Sequence, residues 1–287
     1  MTRLTTILLT VIGAVFALAD SAIAEDGRVG TAQAPDLDTE HIFGFAEGSD
    51  IGAKGEREIE SVTVGSFGKI GSYGNVDNET SFRYGVTDQL RLSFGTLTDY
   101  YGIDNSPGLP NRGIATFSGL IGEMRILILD RTKAPFGMTF SLNPQWRQTD
   151  PASGEKTGNY AIPATLLLDK EAIPDKLFFV ANLIYTPSFL RVDNWRAHDD
   201  AFTMIAGGSY ALGSRLFAGA EIRHENLAQN GAFIAHALFV GPTLFYRFSP
   251  VFTAKVAWAA QIPNAGSRLD LVSYERHQVE LQIAYNF

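Results

Sequence analysis

The chain has 287 residues and no cysteine. That absence removes disulfides, thiolate metal ligands and a cysteine nucleophile together. Long apolar runs are also missing beyond the first two dozen residues. Stretches such as "ILIL" and "LFFVANLIY" are short or interrupted, so none reaches the ~20 apolar residues of a membrane-spanning helix. Basic residues are the minority, 23 Lys and Arg against 31 Asp and Glu, for a net charge of -8. No basic stripe offsets that balance, which argues against a nucleic-acid partner. There is no H-E-x-x-H, G-x-S-x-G or P-loop pattern, so no motif asks for a metal, nucleotide or other cofactor. Helical periodicity is scarce as well.

What is present begins with an address. "MTRLTTILLTVIGAVFALADSAIAED" has Arg3 near its start and an apolar run from Ile7 to Leu18. It ends in the small-x-small sequence Ala22-Ile23-Ala24. That order reads as a signal peptide over 1–24, cleaved near Ala24, with an apolar run too short for an anchor. An exported chain beginning at Glu25 follows. Residues 25–56 are expected to form an N-terminal periplasmic segment, polar, turn-rich and disordered to about Thr39.

From Arg57 onward the chain alternates with a period of two. In "FGMTFSLNPQW", Phe136, Met138, Phe140 and Leu142 share one face, and Gly137, Thr139, Ser141 and Asn143 share the other. "VFTAKVAWAAQI" and "RLFAGAEIRHE" repeat the pattern. Such strands occur in soluble sandwiches too, so the connections must decide. Short ones ("GVTDQ", "DRTKAP", "DKEAIPD", "ALGS", "RFSP") alternate with longer polar ones ("GSYGNVD", "DYYGIDNSPGLPNR", "TDPASGEKTG", "SFLRVDNWRAHD", "ENLAQNGA", "PNAGSRLDLVSY"). Short periplasmic turns opposite longer extracellular loops are the signature of an outer-membrane barrel.

Counting between the connections gives twelve strands near 57–69, 78–84, 90–98, 113–129, 136–148, 159–168, 176–188, 199–210, 215–225, 233–246, 251–262 and 275–287. The fourth and tenth are long enough to rise above the membrane. The reading is an all-β fold: a transmembrane up-and-down antiparallel β-barrel of about twelve strands over 57–287. An even number leaves both termini on the periplasmic side. The chain ends "HQVELQIAYNF", with His277, Val279, Leu281, Ile283, Tyr285 and Phe287 on one face. This is expected to be the closing strand, apolar face to lipid, with Tyr285 and Phe287 in the periplasmic aromatic girdle.

That ending resembles the C-terminal signal of outer-membrane barrels. The resemblance implies that the barrel-assembly machinery reads Tyr285 and Phe287. "YGVTDQLRLSF" resembles a strand–turn–strand common in proteobacterial barrels, including the phenol-degradation transporter type. "FGFAEGSDIGAKGERE", "AHALFVGPT" and "ERHQVELQIAYNF" resemble a family of uncharacterised outer-membrane proteins of similar length. They imply a barrel in the outer membrane of a Gram-negative bacterium, among outer-membrane lipids and lipopolysaccharide, and no known activity.

Alternation points a set of charges into the lumen: Arg83, Arg91, Glu123, Arg125, Arg147, Glu221, Arg223, Lys255 and Glu280, with Gln261, Gln278 and Gln282. Glu123 with Arg125, and Glu221 with Arg223, lie two apart and therefore on one strand face. They could form a charged constriction that selects a small-molecule solute. They could equally form a salt-bridge network that fills the lumen, since an unpaired charge there is costly. Twelve strands fall between a filled barrel and an open one. A passive channel or transporter for a small solute is the leading function.

Two clusters keep a lipid or peptide hydrolase as an alternative, and a plugged structural barrel is a third reading. "EIRHENLAQNG" puts His224 near a strand top, facing outward, but Asn226 stands where a His-x-Ser motif would place serine. Without a nucleophile acyl transfer has no first step. "RAHDD" offers His198, Asp199 and Asp200, which could activate water or hold a divalent cation; a polar loop edge explains them as well. Gly65, Gly68, Gly71 and Gly74 recur every third residue, consistent with a bend or close backbone packing.

Overall fold

The period-two pattern is realised as fourteen β-segments: β1 (Arg57–Phe67), β2 (Ser72–Thr87), β3 (Leu90–Asp104), β4 (Arg112–Leu129), β5 (Gly137–Leu142), β6 (Gln145–Thr149), β7 (Lys156–Ala161), β8 (Ala164–Ile173), β9 (Leu177–Val192), β10 (Trp195–Ala211), β11 (Leu216–Gln229), β12 (Ala232–Ser249), β13 (Phe252–Ile262) and β14 (His277–Asn286). The computed structural model describes residues 38–192, 195–263 and 268–287, and none of these is helical. The signal peptide expected at 1–24 lies outside the described residues.

Each segment pairs antiparallel with its neighbours, and β14 pairs back onto β1 from Asn286 opposite Glu58 to His277 opposite Phe67. The sheet is therefore closed and has no free edge, as a barrel in lipid requires. Two staves are each split in two. β5 and β6 are separated at Asn143-Pro144, β7 and β8 at Ile162-Pro163, and both broken staves lie between β4 and β9. Fourteen segments thus make the twelve staves expected. Proline has no N–H for the ladder. Carbonyls keep the wall joined: Gly122 N–H donates to Pro144 O at 2.9 Å, Asn143 N–H to Pro163 O at 2.9 Å and Ile162 N–H to Pro187 O at 3.2 Å.

The longer connections differ from the sequence expectation. "SFLRVDNWRAHD" and "ENLAQNGA" are mostly ladder, not loop. β9 and β10 stay in register from Leu177 opposite Tyr210 to Val192 opposite Trp195. β11 and β12 are joined by Asn230 and Gly231 alone, at φ 50° and 80°, the left-handed conformation of a tight hairpin turn. Continuing the ladder satisfies backbone groups that a loop would leave to water. Strands of 14–18 residues exceed the 9–11 or so that cross a bilayer, so their far ends stand clear of it.

Outward positions carry a band of exposed apolar and aromatic side chains, among them Phe94, Phe179, Tyr185, Trp258, Tyr285 and Phe287. Such surface would aggregate in water and suits lipid. The main departure from the sequence reading is inside. The wall begins at Arg57, and residues 38–51 of the segment read as periplasmic lie within the bore. Ile42, Phe43 and Ala46 pack against inward-facing Phe178, Val180, Ile205, Phe217 and Phe245. Those wall residues break the apolar-out, polar-in rule, and the N-terminal segment is what covers them.

A charged bore divided by an N-terminal segment

This N-terminal plug enters from the end of the barrel where β1 begins and β14 ends. Gly55 N–H donates to Gly85 O at 2.7 Å, holding it at the β2–β3 turn. It has bends but no helix or strand, so its backbone groups need partners from the wall. Glu221 on β11 supplies one carboxylate to three of them: Gly44, Phe45 and Ala46 N–H donate to it at 2.7, 2.8 and 3.3 Å. Asn182 on β9 accepts from Glu47 N–H at 2.8 Å and donates to Glu47 O at 2.9 Å. Lys255 Nζ on β13 donates to Gly44 O at 2.6 Å, and Ser209 Oγ to Ile42 O at 2.8 Å. A Cβ on Gly44 would lie 2.4 Å from Thr243 Cγ2, so glycine is what lets the plug touch the wall there.

Glu40 is the centre of the charge network. Its Oε1 accepts from Arg83 Nη1 at 2.8 Å, Arg91 Nη2 at 2.6 Å and Arg125 Nη1 at 2.9 Å. Burial pushes the Glu40 carboxyl up, but Arg91, Arg125, His41 and Arg83 outweigh it and hold it well below the usual range. Arg125 Nε also donates to Glu123 at 2.5 Å, and its Nη2 pairs with Glu47. Arg83 reaches Glu58 at 3.3 Å and also contacts Glu60. His41 lies 3.3 Å from Glu58. Burial would lower the His41 imidazole, but Glu58, Glu40 and Glu60 push it up to about 10.

All nine charges assigned to the lumen by alternation point inside. Their partners only partly follow the spacing. Glu123 and Arg125 do pair along β4. Glu221 and Arg223 do not: Glu221 holds the plug backbone, while Arg223 pairs with Glu225 at 2.8 Å and stacks on Phe45 at 4.2 Å. Lys255 joins Glu280 at 3.2 Å. Arg147 sits nearer the far end with Asp77 at 2.7 Å and Asp99 at 3.2 Å. Gln282 reaches His41 at 2.9 Å. Gln261 donates to Asp270 O at 3.0 Å and Gln278 bonds Glu275, anchoring the β13–β14 connection across part of the far opening. Sequence reasoning missed Glu58 and Glu60, though the same alternation in "EREIESV" would have found them. Glu40, His41 and Glu47 gave no such signal, because the plug has no strand period.

The plug divides the bore. On the far side is a cavity of about 370 Å³, bordered by Phe45 and Glu47 of the plug. On the terminus side is one of about 540 Å³, bordered by Asp38, His41 and Asp50. A crevice of about 10 Å³ beside Glu40, Glu58, Arg83 and Arg91 has room for about one water.

The other candidates lie on the outer face. His224 is 3.4 Å from His236 and 3.3 Å from Asn226. Its cross-strand neighbours are Met204 and Leu238, neither of them a nucleophile. His198 is 3.3 Å from Asp200 and stacks on Phe189, and the nearby Tyr185 hydroxyl donates to Asp200 at 2.5 Å. Asp199 faces the other way and accepts from Gln229 at 2.9 Å, so the "RAHDD" carboxylates do not converge. Gly68 and Gly71 sit at φ 89° and 88° in the β1–β2 turn, a backbone reason for two of the spaced glycines. Tyr285 and Phe287 face outward, and Phe287 N–H donates to Arg57 O at 3.0 Å across the closing seam.

Solved barrels share this architecture. The COG4313 outer membrane channel from Pseudomonas putida F1 is 12% identical, with 83% of this chain and 98% of that one covered at a TM-score of 0.55. The NanC porin is 9% identical, with 80% and 100% covered at a TM-score of 0.50. At such identities the likeness concerns the fold. No curated protein sequence matches. A family of unknown function, DUF6662, matches residues 35–287.

Proposed function

The chain belongs to the DUF6662 family, whose description carries no activity, and from the geometry we propose that it is an outer-membrane channel for small hydrophilic solutes, narrowed by its own N-terminal segment. One observation carries this reading. The lumen is not filled by wall side chains; it holds two sizeable cavities, about 370 and 540 Å³, parted by a short stretch of irregular backbone. Twelve staves leave that room where eight would not. The charges on the bore are the kind that bind a passing solute weakly and set its sign.

The test is planar-bilayer conductance of the refolded protein, beside a Glu40→Gln variant that loosens the plug. The channel reading expects conductance in the wild type, larger or more often open in the variant. A specific observation favours a second reading, a closed structural barrel: Glu40 gathers three buried guanidinia, so the plug is firmly seated. Absence of conductance in both proteins would support that reading instead.

A further inference from the structure

We infer that the bore selects small hydrophilic cations, inorganic or amine, over anions. This presupposes that the bore conducts, as proposed above. The observation behind it is how charge is arranged around the two cavities, which are bordered by different residues.

The far cavity is bordered by five carboxylates, Glu47, Glu60, Asp77, Glu79 and Glu123, and three guanidinia, Arg83, Arg125 and Arg147. The cavity on the terminus side repeats the imbalance, with Asp38, Asp50, Glu56, Asp88 and Asp130 against Arg131 and Arg247, beside His41. Glu60 and Glu123 are as buried as the guanidinia, at 0% and 6%, but the more exposed charges at the cavities are carboxylates. The side chains of Glu47 and Asp77 are 26% and 30% exposed, those of Arg125 and Arg147 only 4% and 12%. On the other side of the plug Asp50 is 25% exposed and its partner Arg131 6%. In each pair the carboxylate faces the water and the guanidinium lies behind it.

The plug explains this arrangement. Arg83, Arg91 and Arg125 all turn toward Glu40, which is buried in the bore. Their positive charge is largely engaged with Glu40, although Arg83 and Arg125 also border the far cavity. Glu79 sits on the same face of β2 as Arg83 and makes no hydrogen bond or close ion pair among the described residues. In each of these cavity pairs the carboxylate is thus the partner a solute reaches more readily. In a narrow bore with low-dielectric walls such a surface concentrates counter-ions and repels co-ions. An anion would have to displace a carboxylate from a guanidinium to find a partner. A cation finds carboxylate oxygens without breaking an ion pair.

The experiment measures the reversal potential of the refolded full-length mature protein in a planar bilayer under a KCl gradient, with heat-modifiability confirming that each variant is folded. The wild type is expected to show the cation sign, with potassium favoured over chloride several-fold. Glu79→Gln and Glu47→Gln should each lower that ratio about twofold or more. A wild-type ratio at or below one, or a ratio unmoved by both substitutions, overturns the inference while leaving the channel in place. No conductance in the wild type or in Glu40→Gln overturns the channel and the selectivity together. Should either neutralised variant fail to assemble, the wild-type sign decides.

Discussion

At the scale of single residues, Glu40 bears most on whether the bore opens. Removing one partner of a buried ion pair costs about 3–5 kcal/mol, because the remaining charges stay buried and unpaired. Glu40→Gln takes the shared partner from three buried guanidinia, which keep only Glu47, Glu58, Glu60 and Glu123 between them, so part of that cost applies. Every 1.4 kcal/mol is about tenfold in an equilibrium. Hydrogen exchange at the Gly44, Phe45 and Ala46 amides should therefore accelerate at least tenfold in that variant; unchanged protection would show that the apolar contacts alone seat the plug. The same amides report pH. The His41 value is raised from 6.5 to about 10, so its contribution is complete below 6.5 and lost as pH climbs toward 10. The Glu40 value is depressed from 4.5, so its contribution is complete above 4.5 and lost only in stronger acid. Protection, corrected for intrinsic exchange, should be greatest between about 4.5 and 6.5 and decline toward pH 10. A maximum above pH 9 would contradict this assignment of His41.

At the scale of elements, plug and wall can be perturbed separately. Gly44→Val puts a branched side chain where a single Cβ already lies within 2.4 Å of Thr243 and 2.9 Å of Glu221. It should unseat the plug and raise conductance while the barrel still assembles, as heat-modifiability would show. Loss of assembly would mean that the plug is needed to form the wall. The closing strand invites the opposite test. Phe287 contributes a seam hydrogen bond to Arg57 and a ring 6.3 Å from that of Phe82. Deleting it, or Phe287→Ser, should reduce outer-membrane yield, and wild-type yield would remove its role as an assembly signal.

At the scale of the whole molecule, orientation can be tested in intact cells, and the native chain has no cysteine to interfere. Exposed Pro107, in the β3–β4 connection, lies at the end of the barrel opposite the start of β1 and the end of β14, and exposed Lys133, in the β4–β5 turn, at the same end as these. Pro107→Cys should react with an impermeant thiol reagent and Lys133→Cys should not. Reversed labelling would invert the barrel.

The wall was legible in the sequence because it is made by a local rule. Alternation in "FGMTFSLNPQW" or "HQVELQIAYNF" sorts side chains between lipid and lumen without reference to any distant residue. The rule also placed Arg83, Arg91, Arg125 and the other inward charges. It could not say which charges would meet, because Arg83, Arg91 and Arg125 converge on a residue 43, 51 and 85 positions away. Consecutive apolar pairs such as Phe178-Phe179 and Leu216-Phe217 were the one hint that something apolar must fill the bore, since one member of each pair has to face inward. The sequence by itself determined the number of staves and, outside the apolar patch under the plug, the sign of each face, because these follow from short-range period and composition. Only the tertiary structure decided that residues 38–51 enter the barrel and turn its arginines away from the water. An irregular segment has no period of its own, and it is held by carboxylates, amides and aromatic rings that only the closed barrel brings together.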